Sequence, residues 1–179
     1  MEKIIFERLS TDHIENGWLE WVKEFAPNGC TEFIKIPPNK EALIRLIDNI
    51  STEDIWLAAS LEEKISETST TKTYFGNIHN SHISWLDRRC TFGRLIGHPA
   101  MRGKGMGTKL TRSILSYCFN TLCMQKVTAG CLSNNIGAIK SNLKAGMIEE
   151  AILKKDRYFN GEFVDTHLFA AWQEDWQSQ

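Results

Sequence analysis

The chain lacks the features that mark exported, membrane-embedded or metal-stapled proteins. Its five cysteines, at positions 30, 90, 118, 123 and 131, make no Cys-x-x-Cys pair and no metal-ligand spacing with the histidines. Such an odd, scattered set suits reduced thiols, so neither a disulfide framework nor a metal site is expected. No apolar run approaches membrane-spanning length, and Met1-Glu2-Lys3-Ile4-Ile5-Phe6-Glu7 carries charge where a signal peptide needs an apolar core. A cytoplasmic protein without a membrane partner is therefore expected. A basic excess is missing too. The formal net charge of −1 argues against a general binder of nucleic acid. No repeat or linker composition interrupts the 179 residues, which read as a single domain, 1–179, long enough to bury a core.

What is present is a glycine-rich loop. Arg102-Gly103-Lys104-Gly105-Met106-Gly107-Thr108 lies between a strand-like run and an amphipathic helix. Its three glycines bare a row of backbone N–H groups at a helix N-terminus, where orphan amides and the helix dipole favour phosphate. A Walker A loop fails on spacing, because Gly97 is too far upstream and Gly105 stands where Ser or Thr is required. The dinucleotide fingerprint fails at its third glycine, where Thr108 stands. The spacing that fits is Arg/Gln-x-x-Gly-x-Gly, carried by Arg102, Gly105 and Gly107.

Periodicity supplies the surroundings. Lys3 to Leu9 reads as a strand, followed by a helix capped by Ser10 or Thr11 with Ile14, Trp18, Trp21, Val22 and Phe25 on one face. Pro27-Asn28-Gly29 ends that helix, and Pro37-Pro38-Asn39 opens another with Leu43, Leu46, Ile47 and Ile50 inward. Ile55 to Leu61, Thr73 to His79 and Thr91 to His98 read as strands, with Glu62 to Lys72 a mobile hairpin loop and Trp85-Leu86-Asp87-Arg88 a connection. A helix from about Met106 to Thr121 precedes a strand over Lys126 to Leu132. Ser133 or Asn134 is expected to cap the next helix, Gly146 to end it, and Asn160-Gly161 to turn a closing hairpin.

From Phe92 to Trp172 this order of strand, Gly loop, helix, strand, Asn135-x-x-Ala138-Ile139 helix ending in Gly146, and hairpin resembles the GNAT N-acetyltransferases. Within them it is most similar to the branch that holds the ribosomal-protein N-terminal acetyltransferases. The resemblance implies an α/β GNAT fold, with a central mixed, mostly antiparallel, splayed sheet and flanking helices. It implies an acetyl-CoA-dependent enzyme acting on a primary amine, monomeric or homodimeric, with no nucleic-acid partner. Leu95, Ile96 and Gly97 would then meet the pantetheine arm through their backbone. Gly103, Lys104, Gly105, Met106, Gly107 and Thr108 would bind pyrophosphate, with Arg102 and Lys104 offering charge at the rim, and Asn135 would bond the CoA arm, cap the helix, or both.

The chemistry is acyl transfer from a thioester to an amine that must first lose a proton. Oxyanion donors are expected from the backbone near Leu95 or Ile96. The family's tyrosine acid, four residues after the motif alanine, is here Asn142, whose amide cannot donate a catalytic proton at neutral pH. The strand position that often carries a glutamate base holds Phe92, Gly93 and Arg94. His79, His82 and Asp87 are the candidate bases. Tyr158 and Asp165 are candidates for the acceptor side, whereas His167 is expected to pack against its sheet neighbours. Trp18, Trp21, Phe25 and Phe33 fall in the region of the acceptor wall, with core packing as their default role. No cysteine matches a nucleophile position, so direct attack is expected over a covalent intermediate. A non-catalytic acyl-CoA-binding module is the alternative, suggested by the missing Tyr and Glu, and a phosphate-binding switch or NTPase is a more distant one.

Overall fold

The structure, a computed structural model, describes residues 2–25, 38–51, 53–66 and 69–176. Pro27-Asn28-Gly29, Cys30, Phe33 and Pro37 lie outside the described residues. The strands are β1 (Glu2–Arg8), β2 (Ile55–Lys64), β3 (Thr70–Ser84), β4 (Arg89–Ile96), β5 (Lys126–Leu132), β6 (Ile148–Phe159) and β7 (Glu162–Trp172). They form one sheet in the order β1-β2-β3-β4-β5-β7-β6. Every neighbouring pair is antiparallel except β4 with β5. The helices are α1 (Leu19–Phe25), α2 (Lys40–Asp48), α3 (Met106–Asn120), α4 (Ile136–Lys144) and the short α5 (Gln173–Trp176). This is the mixed, mostly antiparallel α/β arrangement expected from the sequence.

Strand register sorts the side chains onto two faces. Ala58, Asn77 and Leu95 lie across from one another on β2, β3 and β4, on the face covered by α1 and α2. Trp18, Trp21, Val22, Leu43 and Trp56 fill the core there. Ile78 and Arg94 oppose each other on the other face, where Leu110, Ile114, Leu115 and Phe119 of α3 pack on Phe75, Phe92, Val127 and Phe169. Among the described residues no helix is long and apolar enough to cross a membrane.

Four local expectations change. The stretch Glu62 to Lys72, expected as a mobile hairpin loop, does join β2 to β3 as a hairpin, but the strands run on through most of it. Glu62 pairs with Lys72, Glu63 with Thr71 and Lys64 with Thr70. Polar cross-strand pairs on an exposed ribbon are as well accommodated as apolar ones, so polarity alone misled the reading. The single helix expected before Phe25 is broken, because Gly17 adopts φ +123° and Asn16 is also non-helical. The break falls inside the segment Ile14–Trp18 that leads into α1 and leaves Gly17 against the Trp21 ring. The cap of α4 is Asn135, for which capping was one of the two expected roles, and not Ser133 or Asn134; its Oδ1 accepts from Ala138 N at 3.1 Å. β3 also runs well past His79, to Ser84. Gly146 (φ +96°) ends α4 as expected, and Asn160 and Gly161, with φ of +48° and +90°, turn the last hairpin.

Candidate active site

β4 and β5 are paired only at Arg89–Lys126, Cys90–Val127 and Thr91–Thr128, with the last two hydroxyls 2.8 Å apart. Beyond them the parallel strands part. Three residues further along each, roughly 10 Å from the last pair at the usual strand rise, Arg94 and Cys131 stand on opposite walls of the gap. α4 supplies Ser141, which accepts from Arg94, and Gly107 of α3 approaches Ser141 so closely that a Cβ would lie 3.2 Å from the serine Cβ. Burial pushes the Cys131 thiol up to about 11, against the opposing pull of Arg94. That cysteine stays protonated at neutral pH and is a weak nucleophile.

The Gly loop lies at the open end of this gap. Gly103 and Gly105 take φ of +73° and +75°, and Gly105 is the residue that precedes α3. The amides of Thr108 and Lys109 both bond to Gly105 O, at 3.0 and 3.1 Å. Thr108 is therefore spent on the first helical turn and is not a free donor. The N–H groups of Gly103, Lys104, Gly105, Met106 and Gly107 have no partner among the described residues. Five consecutive bare amides at a helix N-terminus make an anion cradle. The Met106 side chain turns into the core, and the Lys104 side chain is exposed.

Just upstream, Phe75 O accepts from both Gly97 N (2.9 Å) and His98 N (3.1 Å), so β4 ends in an irregular kink. Arg102 secures that kink. Its Nε donates to Ile96 O at 3.2 Å, its Nη2 reaches Gly97 O, and its guanidinium grips both Glu24 oxygens at 2.6 and 2.9 Å. The Phe25 ring lies 4.7 Å beneath it. Arg102 is thus a clamp between α1 and the strand end, a role that the sequence reading of it as rim charge did not foresee. Leu95 is buried toward α1, Ile96 points to the opposite face, and Gly97 lies under Trp21.

The candidate catalytic residues fall in different places. Asn142, next to Ser141 on α4, is 1% exposed, and its Oδ1 has no hydrogen-bond partner among the described residues. His79 lies on the α1 face, directly across from Gly93 of β4, with Nε2 2.7 Å from Asp54 Oδ1 and its ring stacked on Trp56 at 4.1 Å. His82 and Asp87 lie at the opposite end of β4 from the Gly loop, bonded to Ser81 and Ser84. Tyr158 is 69% exposed on the closing hairpin, its ring against Phe163. Asp165 is held below the usual carboxylate range by Lys154 Nζ and Lys155 N, each at 2.9 Å. His167 stacks on Phe169 and bonds Glu149, the packing role expected of it. Asn135 has its oxygen committed to the α4 cap.

Two groups escaped the sequence reading. Arg94 was passed over as the wrong residue at a glutamate position. It enters the gap, donates to Ser141 Oγ and lies 5.6 Å from the Phe92 ring centre. On the α1 face, Tyr74 bonds Asn77, which in its satisfied amide orientation also accepts from Trp18 Nε1 at 3.0 Å. Trp21 packs on the same tyrosine, so Trp18 and Trp21 belong to the core. A lone arginine in the apolar run Phe92-Gly93-Arg94-Leu95-Ile96 was the available signal for the first group.

Residues 3–148 match the model of the acetyltransferase (GNAT) domain family. The chain is 32% identical over 71 residues to the probable N-acetyltransferase YjcK of Bacillus subtilis (strain 168), a match spanning 40% of this chain and 39% of that protein. It is 26% identical over 137 residues to the uncharacterized N-acetyltransferase YoaA of the same organism, spanning 74% and 75%. Among solved structures, the spermidine N-acetyltransferase from Vibrio cholerae in complex with CoA and spermine superposes with TM-score 0.76 at 18% identity, covering 97% of this chain and 98% of that one. A dodecameric structure of the Vibrio cholerae spermidine N-acetyltransferase gives 0.71 at 18% identity, covering 98% of both chains.

Proposed function

The chain belongs to the GNAT N-acetyltransferase family, whose members carry an acetyl group from acetyl-CoA to an amine, and on that premise we propose that it acetylates a primary amine by direct attack within a ternary complex. The observation that carries the reading is the row of five bare amides from Gly103 to Gly107 beside the β4–β5 gap. The row suits a pyrophosphate, and the gap suits an extended arm lying between strand edges as a further strand would. The protonated thiol of Cys131 supports direct attack over an acyl-cysteine route. His79, oriented by Asp54, is the base this reading uses, acting on the amine through water.

The acceptor is a peptide N-terminus or a small amine. A second ammonium group on the acceptor would need carboxylates of its own. Near α1, however, Glu15, Glu20 and Glu24 are each paired with Lys40, Lys23 and Arg102. That favours an acceptor with a single ammonium group, in keeping with the resemblance to the N-terminal acetyltransferase branch.

A thiol-release assay with acetyl-CoA tests this across N-terminal peptides, monoamines and polyamines. Turnover restricted to polyamines would overturn the acceptor reading. Tight acetyl-CoA binding with no turnover on any amine would favour a non-catalytic binding module.

A further inference from the structure

The β4–β5 gap holds a cation with no counter-charge. Arg94 enters it from β4, where its guanidinium meets the Ser141 hydroxyl and the Phe92 ring and faces the Cys131 thiol across the gap. No carboxylate faces it, in contrast to Arg102, which is matched to Glu24 by two bonds. A half-buried cation with no carboxylate beside it is unfavourable unless something else in the working state supplies negative charge. Next to Ser141, the amide of Asn142 presents a buried, unpartnered oxygen and offers no acidic proton. Among the described residues the gap therefore contains a positive charge, no carboxylate against it, and in Cys131 a thiol too weak an acid to protonate a departing CoA sulfur readily.

We propose that Arg94 stabilises the departing sulfur of acetyl-CoA as a thiolate, taking by charge the role that a proton-donating side chain would otherwise fill. The proposal rests on the acetyl-CoA reading above. The amine lone pair forms the N–C bond to the thioester carbonyl carbon, giving a tetrahedral oxyanion. As that oxyanion collapses, the C–S bond breaks and its electron pair goes to sulfur, beside the guanidinium. The extra proton on the new amide nitrogen leaves through water and reaches the thiolate later, so the products are the neutral amide and the CoA thiol. Arg94 suits this task because burial lowers its pKa only to about 10, leaving it charged at neutral pH.

Other titrating groups face the same region. Cys131 lies on the β5 wall, and the Glu149–His167 pair of β6 and β7 lies behind it. A test must separate their titration from that of the bound thiol. Binding of CoA and of desulfo-CoA, which lacks the sulfur, is measured by calorimetry across pH for the wild type and for Arg94→Met. Protein groups affect both ligands alike, so the ratio of affinities isolates the thiol.

In the wild type, CoA should gain about eightfold over desulfo-CoA between pH ~6.5 and ~9.5, the rise given by lowering a thiol pKa of ~8.5 by about one unit. In Arg94→Met the ratio should stay flat, while unchanged desulfo-CoA binding reports an intact fold and loop. A flat ratio in the wild type, or the same rise in Arg94→Met, overturns the role of Arg94 and leaves the acetyl-CoA reading standing. Failure of the wild type to bind either ligand overturns both.

Discussion

The Trp21 ring lies flat against the backbone of Gly97, so close that a Cβ built on the glycine would come within 1.8 Å of the ring. α1 is thereby seated on the end of β4, one residue beyond the strand and five before Arg102. Trp21 also contacts Tyr74 and Gly17, so a displacement at Gly97 would spread through the α1-side core.

Gly97→Ala should therefore destabilise the protein by about 1–3 kcal/mol, the range for overpacking a filled core. Denaturant unfolding measures this, and coupling to Trp21 identifies the cause. In a Trp21→Ala background the same change should cost much less. Equal costs in the two backgrounds would show that the ring is not what Gly97 accommodates.

Gly105→Val and Gly107→Val should each weaken acetyl-CoA binding by at least ~2 kcal/mol, about thirtyfold. They act for different reasons. At Gly105 no heavy atom within 4 Å obstructs a Cβ, but φ of +75° is strained for a branched residue. At Gly107 the new side chain meets Ser141 and forces α3 and α4 apart. Calorimetry on folded variants is decisive, and near-wild-type affinity for both would remove the loop from the site.

Asn142→Ala should lower kcat by less than about tenfold, well short of the ~10²–10⁴ expected when a general acid is lost. Asn142→Leu should raise the unfolding free energy, since it removes a buried acceptor that has no partner. A thousandfold loss of kcat in Asn142→Ala with normal acetyl-CoA binding would make this amide part of the chemistry.

His79→Ala should reduce kcat/KM for the amine by about 10²-fold, with acetyl-CoA affinity unchanged. Asp54→Asn should lose less, because it disturbs only the orientation of the ring. If His79 is the base, the loss should fall on the amine-dependent step; an unchanged kcat/KM in His79→Ala would move the base elsewhere.

The Gly loop and α3 could be read from sequence because their signals are local: glycines at fixed spacing, followed by Leu110, Ile114, Leu115 and Phe119 at helical intervals. The ribbon at Glu62 to Lys72 could not, since its stability lies in pairs such as Glu62 with Lys72 that join distant positions. The clamp role of Arg102 depends on Glu24, 78 residues away in sequence. Arg94 was opaque for a related reason. Its meaning depends on where β4 parts from β5, and that is set by Thr91 and Thr128 together.

Three residue pairs are all that align β4 with β5. The sheet is therefore two half-sheets, β1–β4 and β5–β7, joined by a short seam and bridged by α3 and α4. On the proposed binding mode, a substrate arm laid between the bare edges would act as a removable eighth strand, and part of the cohesion of the folded chain would come from its ligand. Melting temperature should then track acetyl-CoA concentration. Slowed hydrogen exchange along Gly93–Ile96 and Ala129–Leu132 would mark the two edges being drawn together.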